Sequence, residues 1–126
     1  MNKTKILIVD DEEDILKLLS MYLTRKNYYC LTAKNQAEAM ELIEKEHPEI
    51  VLLDIFLGNE SGIDILCKIK KMHSDIKVIM LTVMQDETNI IKAKSCGADD
   101  YVLKFSEGSF MSEEVLRRIS HFSAKQ

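Results

Sequence analysis

None of the 126 residues belongs to an apolar run long enough to cross a bilayer; runs such as Ile50-Val51-Leu52-Leu53 stop after four residues. The opening residues, Met1-Asn2-Lys3-Thr4, lead straight into one such run, so no secretory signal peptide is expected. Cysteine is sparse and scattered: Cys30, Cys67 and Cys96 form no C-x-x-C pair and no cluster with histidine. That spacing argues against a thiolate metal site or a disulfide framework, and the expectation is three free thiols in a reducing cytosol. A basic excess is also missing. Seventeen Lys and Arg face 21 Asp and Glu, for a net charge of −4, which disfavours non-specific binding to nucleic acid or to an anionic membrane. There is no linker, repeat or low-complexity stretch. The expectation is one domain using residues 1–126, with its core at about 4–122.

What is present is an alternation of two kinds of segment. Ile6-Leu7-Ile8-Val9, Ile50-Val51-Leu52-Leu53 and Val78-Ile79-Met80-Leu81 lack polar alternation and read as strands buried on both faces. Tyr28 to Thr32 and Tyr101 to Leu103 are weaker strand candidates. Between them lie helical patterns. Ile15, Leu18, Leu19, Tyr22 and Leu23 share one face. Asn35 with Glu38 reads as a capping box, and Pro48 closes that second helix. A third helix opens after Ser61-Gly62, a fourth runs from about Asp86 to Ser95 and stops at Gly97, and Val115 to Phe122 belong to a last one. Five βα units in a row predict an α/β, flavodoxin-like, three-layer sandwich with a parallel sheet of order 2-1-3-4-5.

In such a sheet ligands bind at the carboxyl ends of the strands. The first strand delivers Asp10 and Asp11 there, the third Asp54, the fourth Thr82 and the fifth Lys104. Neighbouring strands lie about 4.8 Å apart. Two carboxylates roughly 5 Å apart repel by about 3 kcal/mol at an effective dielectric of 20, so the site must hold a proton or a cation. Oxygen-only ligands select a hard cation, of which Mg²⁺ is the common cellular one. Asp54 can then serve as a nucleophile that forms an acyl phosphate, with Lys104 and the Thr82 hydroxyl neutralising phosphoryl oxygens. Each residue also has a plainer role. The acids from Asp10 to Asp14 suit a helix start, Asp54 and Thr82 suit caps, and Lys104 alone would be a solvated charge. Their joint placement at one end of the sheet favours the functional reading. The three histidines fall near helix ends, where a cation suits a C-terminus, and no catalytic role is expected of them.

The segments Ile6-Leu7-Ile8-Val9-Asp10-Asp11-Glu12, Leu53-Asp54, Leu81-Thr82 and Gly97-Ala98-Asp99-Asp100-Tyr101, with Gly62 and Lys104, resemble the receiver domain of two-component response regulators over roughly residues 4–122. The resemblance implies a phosphoacceptor at Asp54, served by a sensor histidine kinase. It implies Mg²⁺ held by Asp11 directly, by Asp10 through water, by Asp54 and by the backbone carbonyl of Phe56. Thr82 and Tyr101 would act as switch residues. The face of the fourth helix, fifth strand and fifth helix would change its partner, an output domain or a second copy. The domain would act in the cytoplasm, away from membrane and without touching nucleic acid itself. It would be no enzyme beyond promoting its own phosphorylation and dephosphorylation. It would stand alone or form the front of a longer regulator, commonly one that controls transcription.

The chain departs from the family pattern at four places. Phe105 follows Lys104 where proline is usual, and a trans bond is expected there. The segment Phe105 to Met111, containing Gly108, is longer than usual. Gly58 replaces a frequent proline, which predicts a looser loop. Val83 replaces a small residue. Phe56, Val83 and Met84 are expected at the pocket mouth, where Val83 would narrow access to the phosphoryl group and Phe56 and Met84 would obstruct an attacking water, which predicts slow self-dephosphorylation. Other readings are an aspartyl-nucleophile phosphohydrolase, a flavin module, or a receiver-like scaffold that no longer takes phosphate. The first wants a carboxylate where Phe56 stands. The second wants a phosphate-cradling loop where Asp10-Asp11-Glu12 would repel one. Arg117, Arg118 and Asp100 read as solvated charges or as cross-subunit pairs.

Overall fold

A computed structural model describes residues 3–83, 87–104 and 110–123. Its elements are β1 (Lys5–Val9), α1 (Glu13–Arg25), β2 (Tyr29–Ala33), α2 (Gln36–Glu46), β3 (Ile50–Asp54), β4 (Phe56–Leu57), β5 (Glu60–Ser61), α3 (Gly62–Met72), β6 (Lys77–Thr82), α4 (Glu87–Ser95), β7 (Asp100–Leu103) and α5 (Met111–Ser123). The main sheet is parallel with order β2-β1-β3-β6-β7, which is the expected 2-1-3-4-5 once the small β4–β5 hairpin is set aside.

The pleat explains why three strands are apolar throughout. Successive side chains point to opposite faces, so each strand feeds two cores. Leu7, Val9, Val51, Leu53, Val78 and Met80 pack with Ile43 of α2, Ile65 and Leu66 of α3 and Ala93 of α4. Ile6, Ile8, Ile50, Leu52, Ile79, Leu81 and Val102 face α1 and α5, through residues such as Leu19, Leu23, Val115 and Ile119. Nothing polar interrupts these strands until their carboxyl ends.

The helices start and stop close to where their signals stand. Asn35 accepts a hydrogen bond from the Glu38 N–H at 2.9 Å. The Glu38 carboxylate reaches back to the N–H of Lys34 rather than of Asn35, at 2.8 Å, so the capping box is closed one residue early. His47 ends α2 in the left-handed region at φ 51°. The fourth helix begins at Glu87 in the described residues, and its expected start at Asp86 lies outside them, as do Met84 and Phe105 to Ser109. Among the described residues no helix is long and apolar enough to cross a membrane.

Two expectations need correction. The segment after Asp54 is not a loosened loop: Phe56 pairs with Ser61 and Leu57 with Glu60, and Gly58 turns the chain at φ 59°. A glycine supplies that left-handed turn without a Cβ penalty, so it closes the hairpin. Nor are all three thiols free. Cys67 on α3 and Cys96 just past α4 form a disulfide with Cα atoms 5.1 Å apart, leaving Cys30 as the free cysteine. The two are 29 residues apart, and only the β6 crossover brings them together. Arg118 pairs with Asp100 of its own chain at 2.7 Å and Arg117 with Glu114 at 2.7 Å, with the Arg117 side chain 68% exposed, as expected of a solvated charge.

Candidate functional site

The register sets the site. Val9 pairs with Leu53, so Asp10 and Asp54 are delivered by adjacent strand ends. Thr82 pairs with Leu103, so Lys104 leaves the sheet one step beyond the Thr82 level, and its N–H donates to the Thr82 carbonyl at 2.7 Å. Pleat parity adds a further constraint. Asp10 follows Ile8, Asp54 follows Leu52 and Lys104 follows Val102, all of which face the α1–α5 side. The parity of Thr82 is that of Val78 and Met80, on the side of α3 and α4.

Asp10, Asp54, Thr82 and Lys104 are buried, a rare condition for three charged groups and one that demands partners. The Lys104 ammonium supplies them. It donates to Asp54 Oδ2 at 3.0 Å and to Glu12 Oε1 at 3.3 Å, and it sits 2.7 Å from Asp10 Oδ2. The last contact is a close ion pair, and Asp10 Oδ2 has no hydrogen-bond partner among the described residues. Asp10 Oδ1 accepts from the Glu12 N–H at 2.9 Å, which folds the start of α1 over the pocket. Asp54 Oδ1 accepts from the Phe56 N–H at 3.3 Å.

One cation does not balance this many acids. Asp10, Asp11, Glu12 and Asp54 each offer an oxygen, all within 4.8 Å of one another. Burial pushes the Asp54 carboxyl up to about 6, with the Asp10 charge adding to it and Lys104 opposing it. Burial likewise raises Asp10, against the pull of Lys104 and of the Glu12 N–H. Burial alone would lower Lys104, but its close contacts with the Asp10 and Asp54 carboxylates outweigh it and hold its affinity for the proton above the ordinary lysine value. Two buried carboxylates, Asp10 and Asp54, beside the exposed Asp11 and Glu12, offer only oxygen donors and fit a hard divalent cation.

The hairpin forms the rim. A Cβ placed on Gly58 would lie 3.8 Å from Asp11 Oδ2, so the turn stands beside the acidic cluster. Phe56 is 57% exposed and Val83 44%, both large apolar groups left in solvent next to the site residues; Met84 lies outside the described residues. Tyr101 is half-buried on the α4 side, and its hydroxyl donates a long hydrogen bond, 3.4 Å, to the Ile90 carbonyl. Glu12 is the residue whose contact was missed. As one of five acids opening a helix, it gave no sign that it would touch Lys104.

This fold and this constellation have relatives. The family model for the response regulator receiver domain matches residues 6–116. The probable transcriptional regulator ycf27 of Galdieria sulphuraria is 42% identical over 123 residues, covering 95% of this chain and 48% of that protein. The transcriptional regulatory protein SrrA of Staphylococcus aureus strain NCTC 8325 is 39% identical over 115 residues, covering 91% and 46%. This chain therefore spans about half the length of the curated relatives it matches. Among solved structures, a CheY-like response regulator receiver domain protein from Methanospirillum hungatei superposes with a TM-score of 0.89 at 28% identity, covering 98% of this chain and 96% of that one. With two buried aspartates and a buried lysine at one end of a 2-1-3-4-5 sheet, and with these matches along its length, the chain belongs to the response regulator receiver domain family.

Proposed function

We propose that the chain, as one receiver unit over residues 1–126 with its core at about 4–122, is a phosphorylation-controlled switch of a cytoplasmic two-component system. It takes its phosphoryl group from a sensor histidine kinase. The observation that carries the reading is Lys104, buried and bonded to Asp54, beside a cluster of four acidic groups. Asp11, Asp54 and the Phe56 backbone carbonyl hold Mg²⁺, with Asp10 helping through water. Bound there, the ion offsets carboxylate repulsion and screens the incoming phosphoryl group.

The chain's own residues do the rest. An ionised Asp54 oxygen attacks phosphorus, the new O–P bond forms as the donor's N–P bond breaks, and the imidazole leaves. Lys104, charged throughout, exchanges its carboxylate partner for a phosphoryl oxygen, and Thr82 donates to another. Thr82 moves toward the phosphoryl group, Tyr101 follows, and the surface of α4, β7 and α5 changes its preference for an output domain or a second copy. The relatives' names make transcription regulation the leading output. This domain binds neither nucleic acid nor membrane, and it promotes only its own phosphorylation and dephosphorylation.

The test is intact mass after incubation with Mg²⁺ and acetyl phosphate. A single stable phosphoryl adduct supports the switch; steady phosphate release with no adduct supports the aspartyl phosphohydrolase instead, and neither supports a scaffold that takes no phosphate. Phe56 and Val83 at the rim obstruct an attacking water, so the adduct is expected to persist for minutes or longer. Phe56→Asn is expected to hasten its decay several-fold, read as loss of adduct mass with time. Decay within seconds in the wild type, or an unchanged rate in the variant, would contradict the rim's role.

A further inference from the structure

We propose that Cys67 and Cys96 are a reversible thiol–disulfide modification site that ties α4 to α3. The proposal rests on the cytoplasmic switch reading above, because it takes α4 as part of the responding surface. In a reducing cytosol a disulfide that persists is rare, and those that occur are mostly transient or redox-sensing. The pair is placed to open and close. Both residues are half-buried rather than sealed in the core. Their neighbours hold the same junction without the covalent bond. Lys70 Nζ, on α3, pairs with Asp99 Oδ2 at 2.7 Å and donates to the Ile76 carbonyl at 2.6 Å. The Lys70 stem lies under Gly97, which turns the chain at φ 98° right after Cys96. Asp99 also accepts from the Val78 N–H at 2.8 Å. Opening the bond therefore leaves the two sulfurs close enough to reclose.

The bond has leverage because α4 is thinly anchored. Ala93 is its only buried residue, whereas α3 buries Gly62, Ile63, Ile65, Leu66 and Ile69. The loop closed by the disulfide contains β6 with Thr82 at its end, and then α4 itself. Oxidation restrains the carboxyl end of a weakly held helix; reduction releases it. The reaction is thiol–disulfide exchange with a low-molecular-weight disulfide. One cysteine thiolate attacks that disulfide and releases one small thiol, and the second cysteine then displaces the other. Both electrons pass to the small disulfide and both protons end on the released thiols.

The test exposes the native full chain to oxidised glutathione or to dithiothreitol, counts alkylatable thiols by mass, and follows amide hydrogen exchange in residues 87–95. Complete interconversion is expected in both directions, with exchange in α4 about tenfold faster in the reduced form. Cys67→Ser and Cys96→Ser are expected to exchange like the reduced form in either buffer, and Cys30→Ser like the wild type. A bond that survives dithiothreitol in the folded protein, or never forms in oxidised glutathione, overturns the proposal; so does exchange in α4 that ignores the redox state. All arms use unphosphorylated protein, so failure of Asp54 to accept phosphate leaves this result standing, and failure here leaves the phosphorylation reading standing.

Discussion

Gly62→Ala is expected to cost about 3 kcal/mol or more, a large share of the stability of a domain this size. The added Cβ would lie 1.9 Å from the Asp54 carbonyl oxygen, 2.8 Å from its carbonyl carbon and 3.0 Å from the Ile55 Cα. All three are backbone atoms, so no side chain can swing aside. The Gly62 N–H also donates to the Ile55 carbonyl at 2.6 Å, which locks α3 against the end of β3. Relief requires α3 to retreat from the strand that carries Asp54, opening the hairpin on the way. Chemical denaturation would read the loss directly, and a midpoint within error of the wild type would contradict the geometry. The acidic cluster should suffer even in whatever fraction folds, because the same displacement moves the Phe56 N–H that Asp54 accepts from.

The second large effect has the opposite sign. In metal-free protein at pH 8, Asp54→Asn is expected to be more stable than the wild type by roughly 1–3 kcal/mol, a rise in Tm of about 5–10 °C. The Asp54 carboxyl is raised from 3.8 to about 6, first by burial and then by Asp10. A group with a raised folded-state pKa contributes fully below its unfolded value and loses that contribution as pH climbs through the folded one. Wild-type stability should therefore fall between about pH 4 and pH 6, and a shift of about two units sets a ceiling of about 3 kcal/mol. Asp10, raised in the same direction, adds to the slope. Lys104 does not, since its titration lies far above this window. The asparagine keeps the shape and abolishes the charge, so the advantage of the variant should fade toward pH 4. Magnesium should reverse the order at pH 8 by stabilising the wild type far more than the variant. Thermal melts across pH, with and without the ion, check all three statements. A variant less stable at pH 8, or an advantage independent of pH, would contradict the description of Asp54 as a strained buried anion.

Both effects follow from features that were legible in the sequence to different degrees. The parallel sheet was readable because β1, β3 and β6 carry apolar residues on both parities, which only a strand covered on two faces requires. Asp10, Asp54 and Lys104 were readable for a related reason: each is the first charge after an apolar run, short in the case of Tyr101 to Leu103, and the fold puts all those ends together. Contacts made by topology were harder. Cys67 and Cys96 have no local pattern, and only the β6 crossover makes them neighbours. Glu12 looked like one more acid at a helix start, although the turn held by Asp10 Oδ1 swings it onto Lys104. Gly58 was read for its lack of a ring, which loosens an unfolded chain, when its use is the positive φ of a hairpin turn. The strands of that hairpin are two residues each, too short to leave a periodic signal. Arg118 finds Asp100 because α5 packs back on β7, a proximity that no charge count conveys.

The most direct check is chemical mapping of the phosphorylated site. After incubation with Mg²⁺ and acetyl phosphate, borohydride reduces an acyl phosphate to an alcohol, and peptide sequencing by mass locates it. The reduced side chain is expected at position 54 and nowhere else, and it should disappear when magnesium is chelated. Reduction at Asp10, Asp11 or Glu12, or an untouched chain after prolonged exposure to donor and metal, would contradict the assignment of Asp54 as the acceptor.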